Sequence, residues 1–166
     1  MSVWLVGTVQ WLHVVFGIFW FGAVLTLTFG VVPALGRAPQ SGEQTLIRVL
    51  QQRIHRLLPP IAGITILLGL VRGTIIGPVT NLQAAFGTAY GRTWTAALVV
   101  SIATLIVGAR GIGGGFTRLA AMELTADRAS RTAYDTQLQR IRLAGYLAIT
   151  GFLAIITCMI LMRFGY

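Results

Sequence analysis

The sequence predicts an all-α protein, an integral membrane four-helix bundle built as a single transmembrane domain over residues 1–166. Three observations predict it. Of the 166 residues, 55% are hydrophobic and only 10% are charged, where a soluble domain carries about 25%. Polar residues arrive in blocks separated by long apolar runs. All 13 basic residues are arginine, and they sit in the blocks that flank those runs. A net charge of +9 often marks a nucleic-acid binder. Arginine beside apolar runs is instead a topological signal, so the expected partner is the lipid bilayer and not nucleic acid.

A span needs roughly 20 predominantly apolar residues, and lipid leaves no backbone group unpaired, so each span is expected to be a helix. Four segments qualify, at about 3–32, 57–79, 93–109 and 143–162. Met1 to Gln10 holds no basic residue, and no clear small-residue cleavage site follows. The first run is therefore read as a retained span and not as a signal peptide. The first loop carries Arg37, Arg48, Arg53 and Arg56. The third carries Arg110, Arg118, Arg128, Arg131, Arg140 and Arg142. Only Arg72 and Arg92 edge the middle loop, and Arg163 follows the last span. The positive-inside tendency puts loops one and three in the cytoplasm, with the N- and C-termini outside. The expected location is a bacterial inner (cytoplasmic) membrane.

Both basic loops also read as helical cytoplasmic extensions of spans two and four. Ser41 is a plausible N-cap before Glu43. Leu119, Met122, Ala126, Ala129, Ala133 and Ile141 recur near helical spacing, and Asp127 and Arg131 stand four apart, where they can pair. Between spans three and four, Gly111 to Gly115 is expected to be a flexible break. It lacks the lysine and the preceding strand of a phosphate-binding loop. The one cysteine, Cys158, excludes an intrachain disulfide.

No paired carboxylates, zinc-protease motif or nucleophile elbow is present, so hydrolysis has no signature here. Polar residues at membrane depth carry what chemistry there is. His13 lies about 17 Å inside the first span, at 1.5 Å per residue. Three roles fit it: a hydrogen bond to a neighbouring helix, a metal or haem ligand, or a protonatable group near a quinone. Gly17, one turn on, leaves room for a flat ligand or a second helix, and Trp20 shares the His13 face. Arg72, near the end of span two, is either a snorkelling arginine or an anion partner such as a haem propionate. It lies about 8 Å nearer the surface than His13 by the same rise.

Cys158 and Met162 share a face near the depth of His13. A methionine there suits a second axial ligand, and His13 with Cys158 and Met162 suits Cu(I). Ordinary apolar packing explains the same sulfurs. His55, between Arg53 and Arg56, belongs to the cytoplasmic half. It is either an exposed histidine or part of a second site for propionates or a quinone headgroup, and too far from His13 to share one iron. Gly69, Gly73 and Gly77 form a small-residue ridge, suited to close packing within the bundle or to a homo-oligomer. Trp4, Trp11, Trp20 and Trp94 include expected interface anchors.

Trp11-Leu12-His13, followed by Trp20-Phe21-Gly22 and Pro33-Ala34-Leu35, resembles the opening helix of a superfamily of small membrane proteins. Its members include the copper-resistance CopD domain, the HemJ-type protoporphyrinogen oxidase and the membrane part of a cytochrome-linked urate oxidase. Ala89-Tyr90-Gly91-Arg92 is similar to a Tyr-Gly-Arg stretch of the CopD type. The HemJ type is a haem b protein with a four-helix core, and the resemblance implies a haem-ligand role for His13. Those families place a lysine soon after the Tyr-Gly-Arg stretch. This chain has no lysine and carries Ala96 to Leu98 there.

The leading expectation is a b-type haem protein for electron transfer. His13 would be an axial ligand, Arg72 or Arg92 would meet propionates, and a quinone or periplasmic carrier would be the redox partner. A porphyrinogen or quinol substrate would make it a membrane oxidoreductase. The alternatives are a copper-binding or copper-transport protein, and an accessory subunit of a larger membrane complex.

Overall fold

The computed structural model describes residues 2–37, 43–122 and 128–165, all helix and connection with no strand among them. Four stretches are long and apolar enough to cross a membrane: Val3–Leu35, Thr45–Thr74, Ala89–Ala121 and Arg128–Arg163. Their outward faces carry large apolar side chains. Trp11 is 63% exposed, Ile18 66% and Phe19 61%. A surface this apolar exceeds what water-soluble monomers present and suits a lipid solvent.

The first span begins with α1 (Val3–Leu25), whose Ser2 side chain caps the Leu5 amide at 3.4 Å. It continues through a π-helical turn, Thr26–Val31, into α2 (Val32–Leu35). Pro33 supplies no amide hydrogen, so the normal ladder is interrupted at this point, where the wider turn sits. Helix α3 (Glu43–Thr74) runs back alongside and holds Pro59 and Pro60 in its interior. It ends five residues before the expected 79. The Ile76 amide reaches back to the Val71 carbonyl at 3.1 Å, and the Val79 amide to the Gly73 carbonyl at 3.1 Å. A Cβ on Gly77 would stand 2.6 Å from the Arg72 and Gly73 carbonyl oxygens, so this tight ending requires glycine.

A short helix that the sequence reading missed follows, α4 (Leu82–Gly87), capped by the Asn81 side chain on the Ala84 amide at 2.8 Å. Thr88 then caps α5 (Ala89–Val107) through the Gly91 amide at 2.9 Å. A Cβ on Gly91 would collide with the Ala84 and Ala85 carbonyls, so glycine lets α4 fold back onto the start of α5.

The glycine run is not a break, which corrects the expectation for Gly111 to Gly115. The third span continues through a π-helical turn, Gly108–Gly113, into α6 (Gly114–Ala121). Added Cβ atoms on Gly111 and Gly115 would strike Ala144 and Ile141 of α7 (Arg128–Arg163). These glycines therefore form a packing face, on which a helix approaches closely because small residues line the contact. The same logic seats Thr28 on Gly145 and Thr104 on Gly151.

The expected extensions of spans two and four are present as the starts of α3 and α7. The apolar stripe read for the latter is shifted, however. Ala129 and Ala133 are exposed, while Tyr134, Gln137, Leu138 and Ile141 are buried. Arg131 approaches Asp135 at 3.7 Å. Ser41, Ala126 and Asp127, named above as a cap, a stripe member and a pairing partner, lie outside the described residues.

Helix α1 packs along α3, and α5 along α7. The alternation of direction brings the start of α1 and the end of α7 to one end of the bundle. The dense core lies at the other end. Val24, Leu35, Ile47, Ile112, Phe116, Leu119, Tyr134 and Ile141 are nearly inaccessible there. That end is the more tightly packed, and the end where α1 begins and α7 finishes is left open.

Candidate functional site

At the open end, all four spans border a cavity of about 410 Å³. That volume falls in the usual range of ligand pockets. Helix α1 contributes Gln10 and His13, and α3 contributes Thr65, Gly69, Arg72 and Gly73. From α5 come Tyr90, Trp94 and Ser101, and from α7 come Met159, Met162 and Arg163.

His13 is held by a 2.9 Å hydrogen bond between Nδ1 and the Thr65 carbonyl. A carbonyl only accepts, so Nδ1 carries a proton, and in the neutral ring Nε2 keeps its lone pair. The Thr65 hydroxyl is turned away to the Ile61 carbonyl at 2.8 Å. Gly69 makes this approach possible, because a Cβ there would stand 2.9 Å from His13 Cε1. One turn on, the Trp94 ring lies against Gly73, where a Cβ would fall among the ring atoms. Its indole N–H reaches the Gly69 carbonyl at 3.5 Å. The ridge of Gly69 and Gly73 thus has its covering inside the chain. Gly77 is used differently, against the Arg72 and Gly73 carbonyls of the turn.

Two arginines stand at this end of the cavity, each in the last turn of its helix. Arg72 is half-buried, and its Nε donates to Gln10 Oε1 at 3.1 Å. Arg163 is exposed at the end of α7. Acidic side chains number four in the whole chain, Glu43, Glu123, Asp127 and Asp135. In sequence, Glu43 begins α3, Glu123 and Asp127 fall between α6 and α7, and Asp135 follows the start of α7. Among the described residues, the only ion pair is Arg131 with Asp135.

Donors for a metal here are Nε2 of His13 and the thioethers of Met159 and Met162. Among the described residues, no three of His, Cys, Asp or Glu cluster closely enough to hold an ion. Cys158 is partly buried and does not border the cavity. Met159 takes the place expected for it. Gly17 faces the Thr65 methyl, which an added Cβ would meet at 3.7 Å. The room it leaves is filled by a helix. Arg92 is exposed and outside the cavity.

Trp20 is buried elsewhere, edge-on to Phe152 with ring centroids 4.7 Å apart. It borders a second, smaller cavity of about 90 Å³ beside the π-helical turn of the third span. His55 is at this second cavity and apart from His13, as its depth required. Its Nε2 stands 2.8 Å from the Thr117 hydroxyl, which itself donates to the Gly113 carbonyl at 3.2 Å. That hydroxyl has one hydrogen, so the His55 ring is the donor.

The cavity therefore joins His13, Arg72 and Met162 of the expected residues, and omits Arg92, His55, Gly17, Trp20 and Cys158. It adds Gln10, Thr65, Tyr90, Trp94, Met159 and Arg163. Gln10 precedes His13 by three residues, a helical spacing that could have shown it from sequence. Trp94 and Thr65 gave no such signal. Compared with protein-family models, with curated proteins and with solved structures, the chain has no match.

Proposed function

We propose that this chain is a membrane-embedded b-type haem protein for electron transfer, with His13 as an axial ligand and a quinone or periplasmic carrier as redox partner. One observation carries the reading: a histidine whose Nδ1 donates to a carbonyl, and whose Nε2 has no hydrogen-bond partner among the described residues, borders a roomy cavity between four apolar helices. A ring N–H donating to a carbonyl is the usual outer-shell arrangement of a ligating histidine, and it raises the basicity of the other nitrogen. The resemblance of Trp11-Leu12-His13 and Trp20-Phe21-Gly22 to the CopD and HemJ-type superfamily supports the same role.

The residues present fit the group. Trp94, Tyr90, Ile66 and Leu98 would wall the ring plane, Met159 or Met162 would offer a thioether, and Arg72 would meet a propionate. Bound haem would supply one-electron chemistry, its potential tuned by axial ligand and burial. The chain's own work is to hold the His13 proton at Nδ1, to orient the ring through Thr65, and to exclude water with the apolar walls. Ten of the thirteen arginines belong to the first and third connections, which supports termini outside and those connections in the cytoplasm of a bacterial inner membrane.

The test is the visible spectrum of protein purified in mild detergent after expression with adequate haem, oxidised and then reduced with dithionite. A Soret band with α and β bands on reduction, lost or shifted in His13→Ala, is the expected result. A colourless protein, or a His13→Ala variant with an unchanged spectrum, overturns it. Met159 beside Met162 favours one second reading, a Cu(I) site of His13 with two thioethers. Copper bound by a colourless protein would select that.

A further inference from the structure

The open end of the bundle holds few of the arginines, but two of them meet at its cavity, and among the described residues neither is paired with an acidic side chain. Arg72 and Arg163 border one cavity, brought there by the parallel helices α3 and α7. A snorkelling arginine needs only water or headgroups. Arg72 is more constrained, because Gln10 Oε1 takes its Nε hydrogen at 3.1 Å. That bond fixes the plane of the guanidinium and leaves its Nη hydrogens as the groups on offer. Planar guanidinium groups of this kind match carboxylates and phosphates. Tyr90 borders the same cavity. Gln10 and Arg163 were not among the residues singled out from sequence.

We infer that Arg72 and Arg163 form an anion-binding mouth to the His13 cavity, with Gln10 as the positioning residue that aims Arg72, and that the cavity's ligand is a carboxylate. The inference rests on the haem reading for the identity of that carboxylate, a porphyrin side chain. It assigns Arg163 and Gln10 roles that the ligation of iron by His13 does not require.

The experiment compares two ligands of the same ring and metal. Haem-free full-length protein in detergent is titrated with haemin and with haemin dimethyl ester, and affinity is read from the Soret change. Wild type should bind the diacid at least about tenfold tighter than the diester, the order expected of one charge-assisted hydrogen bond at a partly buried site. Arg72→Gln and Arg163→Gln should each shrink that preference by weakening the diacid alone. Gln10→Leu should shrink it partly, again with diester affinity unchanged, and Arg72→Lys should retain part of it. A merely structural role for Gln10 would lower both affinities together and leave their ratio intact. Equal binding of diacid and diester by wild type, with normal spectra, overturns the anion mouth and leaves the haem reading standing. No Soret change with either porphyrin overturns both.

Discussion

Gly73→Ala tests whether the open end is held by the packing described. The Trp94 ring lies where the new methyl would go, with Nε1, Cε2 and Cδ1 all inside its contact distance. The rigid indole must move as a whole, toward the cavity it borders and off the α3 surface. Overpacking of this kind costs about 1–3 kcal/mol. Displacing the ring also loses its hydrogen bond to the Gly69 carbonyl, worth about 0.5–1.5 kcal/mol. Alanine, however, favours a helix over glycine by about 0.8–1 kcal/mol, which would blur a single measurement. Gly63→Ala on the same helix removes that ambiguity, because a Cβ at Gly63 meets nothing within 4 Å. Gly73 stands in the last turn of α3, so its propensity gain is no larger than that at Gly63, and the two variants differ by at least about 2–4 kcal/mol. For a chain of this length, each kcal/mol moves Tm by about 2–4 °C, so the two Tm values should differ by roughly 4–16 °C. The assay is thermal unfolding of both variants in one detergent, followed by circular dichroism. Equal Tm values would refute the packing of Trp94 on Gly73.

Three further outcomes follow from the same geometry. Gly115→Ala should destabilise by about 1–3 kcal/mol through Ile141, whereas Gly114→Ala, with only the Ala109 carbonyl at 3.9 Å, should be neutral or better. If both are tolerated alike in thermal melts, the run is a hinge after all. Reconstituted with brominated lipids, a variant keeping only Trp11 should be quenched far more than one keeping only Trp20, which is 4% exposed. Equal quenching would contradict the lipid-facing assignment. Asp135→Ala should change unfolding by less than about 0.5 kcal/mol, because its pair with Arg131 is long, partly exposed and four residues apart on a helix. A large loss in denaturant titration would show a role for Asp135 beyond that pair.

The spans were legible because bilayer thickness turns composition into length: any long apolar run bounded by arginine must be a helix of about that size. Helix ends were less legible. The end of α3 at Thr74 and the short α4 depend on turns around Gly73, Gly77, Asn81 and Thr88, whose signals are faint beside the apolar run. The glycine run was misread for a physical reason. Glycine permits both a break and a close approach, and only the presence of Ala144 and Ile141 opposite decides between them.

The candidate site divides along the same line. His13 and Arg72 were visible from sequence, since a polar group at membrane depth is costly and stands out against an apolar run. Met162 was visible as a sulfur at matching depth. Depth along one helix is nearly a one-dimensional quantity, so spacing determined it for these residues. Azimuth is not: a helix has no fixed rotation until its neighbours pack. Only the tertiary structure turned Met159 toward the cavity and Cys158 away, buried Trp20 against Phe152, and set the Thr65 carbonyl on His13. The sequence by itself determined which runs are long and apolar enough to cross a bilayer and how far along each run its polar groups stand. The packing of small residues against Trp94, His13, Thr28 and Thr104 decided which of those groups meet.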